Sequence, residues 1–203
     1  MKKCLLCFIV VFLIALAGCE EKVNAPSGMA ILQHSTEDFN LVTPDYQLSF
    51  PKDYGIHQGY RTEWWYMTAN VQSESGELFG VQWTMFRYAN KKEARQGWDN
   101  QDVYLANVVV SSQEKTWHAE RMARGGIGQA GVELTPFTMW LDNWSWKSPT
   151  KTPFPGKIKV DDQDFSFDID VTTMSSIIAH GDQGYSKKIQ MQRLPLIITV
   201  RHI

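Results

Sequence analysis

Tyr60-Arg61-Thr62-Glu63-Trp64-Trp65-Tyr66, followed after a short loop by Gly80-Val81-Gln82-Trp83-Thr84-Met85-Phe86-Arg87, is the stretch on which the fold turns. In the first arm, expected as a strand over 62–72, Trp65, Met67, Ala69 and Val71 fall on one face and Trp64, Tyr66, Thr68 and Asn70 on the other. The second arm, 78–88, sets Val81, Trp83 and Met85 against Gln82, Thr84 and Phe86. Period two in both arms marks a pair of strands. Ser73-Glu74-Ser75-Gly76-Glu77 between them supplies a hairpin loop, with a glycine for a left-handed position. All eight tryptophans of the chain lie between Trp64 and Trp146. Such residues carry large apolar areas and a polar handle that needs a partner when buried. Their crowding predicts either an aromatic core or a dry hollow lined by indoles and phenols, suited to an apolar ligand.

Working outward, 89–102 is polar and charged, a loop with Trp98 as an unusual apolar member. The apolar run 103–111 predicts a strand buried on both faces. Further strands are expected at 115–122, 137–146, 157–160 and 165–171, the last alternating Phe165, Phe167, Ile169 and Val171 with Asp164, Ser166, Asp168 and Asp170. Gly125-Gly126-Ile127-Gly128 reads as a bent strand or bulge, because no helical pattern follows it. Helical periodicity is never sustained and no repeat is visible. Short strands at this spacing predict an all-β fold, an antiparallel sandwich or barrel.

At the N-terminus, Lys2 and Lys3 precede an apolar run that ends in Leu16-Ala17-Gly18-Cys19. This is the layout of an export signal, too short for a membrane span. The Leu-Ala-Gly-Cys ending resembles a bacterial lipobox, which implies lipidation at Cys19 and two acyl chains, enough for stable anchoring. Glu20 follows the cysteine where Asp would retain the protein at the inner membrane. The expected address is therefore the cell envelope, on the periplasmic side of the outer membrane in a Gram-negative cell. The expected organisation is a signal peptide over 1–18, a polar tether over 19–40, one β domain over 41–188 and an aberrant tail over 189–203. Cys4 and Cys7 lie in the signal and Cys19 is consumed by the anchor, so no disulfide is expected. A net charge of −2 gives no footprint for nucleic acid.

Serine-hydrolase, zinc-protease and phosphate-loop signatures are missing, as is a nucleophilic cysteine in the mature domain. The five histidines, 34, 57, 118, 180 and 202, are too scattered for metal-ligand spacing. Asp161, Asp162, Asp164, Asp168 and Asp170 read as a solvated strand face. No metal and no cofactor are expected. Arg61 and Glu63 share the Trp65 face, either as a charge pair that polarises a bound group or as a structural seal. Glu63, the only carboxylate of the aromatic cluster, is the candidate general acid or base, with Tyr66 beside it. The candidate ligand-binding set is Trp64, Trp65, Tyr66, Gln82, Thr84, Phe86 and Arg87, of which Trp64, Tyr66, Gln82, Thr84 and Phe86 share one mixed apolar and hydrogen-bonding face.

These motifs, with Phe79-Gly80-Val81-Gln82, Phe86-Arg87, Glu120-Arg121, Arg124-Gly125 and Gly181-Asp182-Gln183-Gly184-Tyr185-Ser186-Lys187-Lys188, stand in the order seen in the lipocalin-like AttH family. Its relatives include the carotenoid 1,2-hydratases (hydroxyneurosporene synthases, CrtC-like) and predicted secreted hydrolases. The resemblance implies lipocalin-like β domains around an apolar interior. In the carotenoid members it implies hydration of a terminal C=C bond without a cofactor, for which Glu63, Tyr66 and Trp64 or Trp65 are the matching acid, polar and aromatic groups. They stand on opposite strand faces, so one cavity cannot hold all of them without a bulge. Two departures from the family pattern stand out. Asn107 occupies a strand where relatives carry His, and the second domain expected after the Gly-Tyr-Ser-Lys-Lys motif is replaced by the tail over 189–203. A truncated or frame-shifted product is the expectation for that tail.

Three functions stay open at this stage. One is a lipid-anchored module that binds an isoprenoid- or lipid-like molecule, beside an ABC-type export system as the resemblance suggests. The second is a cofactor-independent hydratase or hydrolase, and the third an inactive fragment.

Overall fold

The computed structural model describes residues 39–186. The expected signal peptide, the expected lipidation at Cys19, nearly all of the expected tether and the tail over 189–203 lie outside the described residues. Nine strands run in chain order: β1 Thr62–Gln72, β2 Leu78–Tyr88, β3 Val103–Ser111, β4 Thr116–Arg124, β5 Ala130–Leu134, β6 Phe137–Leu141, β7 Trp144–Lys147, β8 Gly156–Asp161 and β9 Ser166–Val171. They form two antiparallel meanders, β1-β2-β3-β4 and β5-β6-β7-β8-β9. Short 3-10 turns at Lys52–Tyr54 and Gly97–Asp99 are the only helical elements among the described residues. The fold is all-β and lipocalin-like, and of the two expected forms the two-sheet one is present.

The β1–β2 hairpin forms because each arm alternates along its full length. Glu63 faces Arg87, Trp65 faces Met85 and Met67 faces Trp83 on the inner side. Gly76 takes φ +90 in the connecting loop, where Ser73 N–H bonds the Glu77 carbonyl and Gly76 N–H bonds the Ser73 carbonyl. That backbone conformation suits glycine, which lacks a Cβ. Gly126, also left-handed, is more tightly held: an added Cβ would lie 2.4 Å from the Gly97 carbonyl oxygen.

The two sheets share one buried core. Trp65, Met67, Trp83, Met85, Tyr104, Ala106 and Val108 from the first sheet join Phe137, Met139, Leu141, Trp144, Trp146, Ile158 and Val160 from the second in one buried core. Trp83 meets Trp146 edge to face at 6.1 Å, and Trp146 packs in the same way on Phe137 and Phe154. Such contacts add about 0.5–1.5 kcal/mol each to the burial itself. The indole N–H groups of Trp65, Trp144 and Trp146 each bond a backbone carbonyl at 3.0 Å. Trp83 Nε1 is the one buried side-chain polar atom among the described residues without a partner. Of the two readings of the aromatic residues, core or pocket lining, Trp65, Trp83, Trp144 and Trp146 take the first.

Three further expectations change. Residues 137–146 form two strands, because Asp142 adopts φ +53 and turns the chain between Leu141 and Trp144. A strand at Ala130–Leu134 was not foreseen. Strand β3 is buried on one face only, with Tyr104, Ala106, Val108 and Val110 inward and Leu105, Asn107 and Val109 half-exposed outward. A single arginine ties the sheets at one end. Arg121 on β4 lies over the Trp144 ring at 4.3 Å and bonds Asn143, the Asp161 carbonyl and Asp162.

Candidate functional site

The two faces of the β1–β4 sheet carry two different polar assemblies. On the inner face, where β1 begins and β2 ends, register places Glu63 opposite Arg87 and Arg87 opposite Tyr104. Arg87, 1 % exposed, donates from Nη1 to Glu63 Oε1 and from Nε to Asp102 Oδ2, both at 2.7 Å. The segment before β1 folds over the other side of Glu63. His57 donates its backbone N–H to both Glu63 oxygens, and its Nδ1 lies 3.0 Å from Oε2. Its Nε2 lies 3.3 Å from Asp53 Oδ1. Asp53, fully buried, also accepts from Tyr46 Oη at 2.9 Å and Ser49 N–H at 2.6 Å.

This chain of charges is closed on itself. Both ring nitrogens of His57 face carboxylate oxygens, so the doubly protonated ring fits the site. Burial works to lower the His57 pKa, but the hydrogen bond and charge of Glu63, with the charge of Asp53, outweigh it and the net shift is upward. Arg87 follows the same pattern, burial being outweighed by Glu63 and Asp102. Burial, then the bond to Asp53, pushes the Tyr46 phenol up to about 12, and burial raises the Tyr104 phenol. Every oxygen of Glu63 already takes a hydrogen bond from Arg87 or His57, leaving none for a substrate proton. Glu63, the expected general acid or base, is thus fixed in place by Arg87 and His57. Its partner is Arg87, not Arg61, which lies over the Phe39 ring.

The outer face is built in the opposite way. Trp64 and Tyr66 from β1, Gln82, Thr84 and Phe86 from β2, Asn107 from β3 and His118 from β4 line an open groove of about 480 Å³. Trp64 and Phe86 are cross-strand neighbours with ring centroids 6.2 Å apart, and Phe86 stacks on Tyr88. Thr84, only 7 % exposed, sits in the floor. Among the described residues, the side chains of Tyr66, Gln82, Thr84, Asn107 and His118 make no hydrogen bond to the protein. Unpaired polar heads around two aromatic faces are the makings of an amphiphile site.

Five members of the expected ligand set, Trp64, Tyr66, Gln82, Thr84 and Phe86, therefore meet in one groove. The other two do not: Trp65, 3 % exposed, and Arg87 point into the core. Tyr66 and Glu63 lie on opposite sheet faces, so they do not form one catalytic pair. Sequence reasoning missed His118, which reaches the groove through its pairing with Val109, next to Asn107 on β3. It also missed Asp53, His57 and Asp102. Among the described residues no group of three His, Cys, Asp or Glu side chains is arranged to hold a metal ion.

Comparison with known proteins places this geometry. The sequence model described as AttH-like matches residues 41–194. A crystal structure of an AttH-designated protein from Nitrosomonas europaea superposes with a TM-score of 0.60 at 27% identity, over 74% of this chain and 45% of that one. The chain thus spans about half the length of that structural relative. A search of curated proteins finds no match.

Proposed function

The chain belongs to the AttH-like family, and from that premise we propose that it is a lipid-anchored binding module. It holds a hydrophobic, isoprenoid- or lipid-like molecule on the outer face of the β1–β4 sheet. The observation that carries this reading is the groove itself, in which Trp64 and Phe86 flank polar side chains that have no partner in the protein. An anchor at Cys19 would hold the groove close to the membrane that supplies such a ligand, in the cell envelope and within reach of an ABC-type exporter.

Titration with a fluorescent polyene tests the reading. Saturable binding that is weakened at least tenfold by Trp64→Ala or Phe86→Ala is expected, and binding indifferent to both substitutions would overturn it. A Cys19→Ser variant should be released from membranes if the anchor is right.

A hydratase or hydrolase reading survives in a narrower form. His118 and Tyr66 are the titratable groups that line the groove, beside the Thr84 hydroxyl. Proton transfer would run through His118 rather than Glu63. Product formation lost in His118→Gln would establish it; binding of the same compound with no product, by mass spectrometry, leaves the module alone.

A further inference from the structure

The cross-strand registers arrange the outer face in stripes. Trp64, Phe86, Leu105 and Met122 are successive partners across all four strands, an unbroken apolar row. At strand spacings near 4.8 Å, such a row spans about 14 Å, the reach of a short hydrocarbon segment. Two residues further along, about 7 Å away by strand rise, runs a polar row of Tyr66, Thr84, Asn107 and Glu120. A ligand lying along the first row brings any polar substituent onto the second.

The chemistry of the second row selects that substituent. Hydroxyls and an amide dominate it, and no Lys or Arg lines the groove. The charge on this row is the exposed carboxylate of Glu120. Arg124, one row beyond the apolar stripe, is turned away: its guanidinium bonds the carbonyls of Asn100 and Trp98 and packs on the Trp98 ring. An anionic head would lose water here and gain no Lys or Arg in return, His118 being the one basic group in the lining. An uncharged hydroxyl or carbonyl would find the donors and acceptors of Thr84 and Asn107 unoccupied.

Building on the binding reading above, we infer that the groove recognises amphiphiles with an uncharged hydrogen-bonding head and discriminates against carboxylates. Matched polyene probes test this on the full chain at pH 8, where a carboxylic acid in water is ionised. All-trans-retinol should bind at least about tenfold more tightly than retinoic acid. Thr84→Val should narrow that ratio by weakening retinol alone, and Glu120→Lys should narrow it from the other side by strengthening retinoic acid about tenfold. Equal binding of the two probes, or tighter binding of retinoic acid, overturns the head-group inference and leaves the groove as a binding site. Failure of both probes to bind overturns the binding reading and the inference with it.

Discussion

The two faces of the β1–β4 sheet hold polar groups in comparable number and treat them differently. Inside, Asp53, His57, Glu63, Arg87 and Asp102 saturate one another. Outside, Tyr66, Gln82, Thr84, Asn107 and His118 are left without protein partners. Burying a charge is tolerable only when it is paired and hydrogen-bonded. The inner set is therefore committed to stability, and only the outer set retains capacity to recognise something else.

The sharpest way to break this contrast is Glu63→Ala, which leaves Arg87 buried with half its partners gone. Urea unfolding should show a loss of about 3–5 kcal/mol, and a loss below 1 kcal/mol would mean the inner network is not a stability element. Asp102→Asn keeps the volume but removes one charged acceptor of Arg87, and should cost about 2 kcal/mol. The pH dependence of stability isolates His57. Its pKa is higher folded than unfolded, so its contribution is complete below about 6.5 and is lost as pH rises through the folded value. Urea midpoints should fall between pH 6 and pH 9 in the parent and stay flatter in His57→Gln; parallel curves would refute the assignment. Thr84→Val, on the other face, should shift stability by no more than about 0.5 kcal/mol, because the hydroxyl bonds nothing in the protein. A larger loss would place Thr84 among the structural groups.

The long hairpin was legible because its alternation never breaks, and the groove was legible in part for the same reason: Trp64, Tyr66, Gln82, Thr84 and Phe86 share one parity per strand. Nothing in a pattern of apolar residues distinguishes a lined hollow from a filled core. The pairing of Glu63 with Arg61 assumed that neighbours on one strand meet, yet the antiparallel register sets Glu63 directly against Arg87. A five-residue loop over 73–77 already implied that register. The turn at Asp142 left a trace as well, since the buried positions change from odd (Met139, Leu141) to even (Trp144, Trp146). Strand β5 gave less to read, because Ala130 and Gly131 offer little apolar contrast and follow a glycine-rich bend. His118 and His57 enter their sites through pairing and a loop that spacing along the chain does not reveal.

Among the described residues strand β9 has only β8 as a neighbour in the second sheet, and Asp168 and Asp170 stand exposed along it. A strand with open backbone groups on one side invites another chain to add to it, and like charges on both would repel such an addition. Asp170 is bonded by Lys157 at 3.0 Å and Asp168 faces Lys159 across the pair, so the charges a second chain would meet at this strand are mixed. Serine at both positions would leave those lysines without carboxylates while the groove on the other sheet stays untouched.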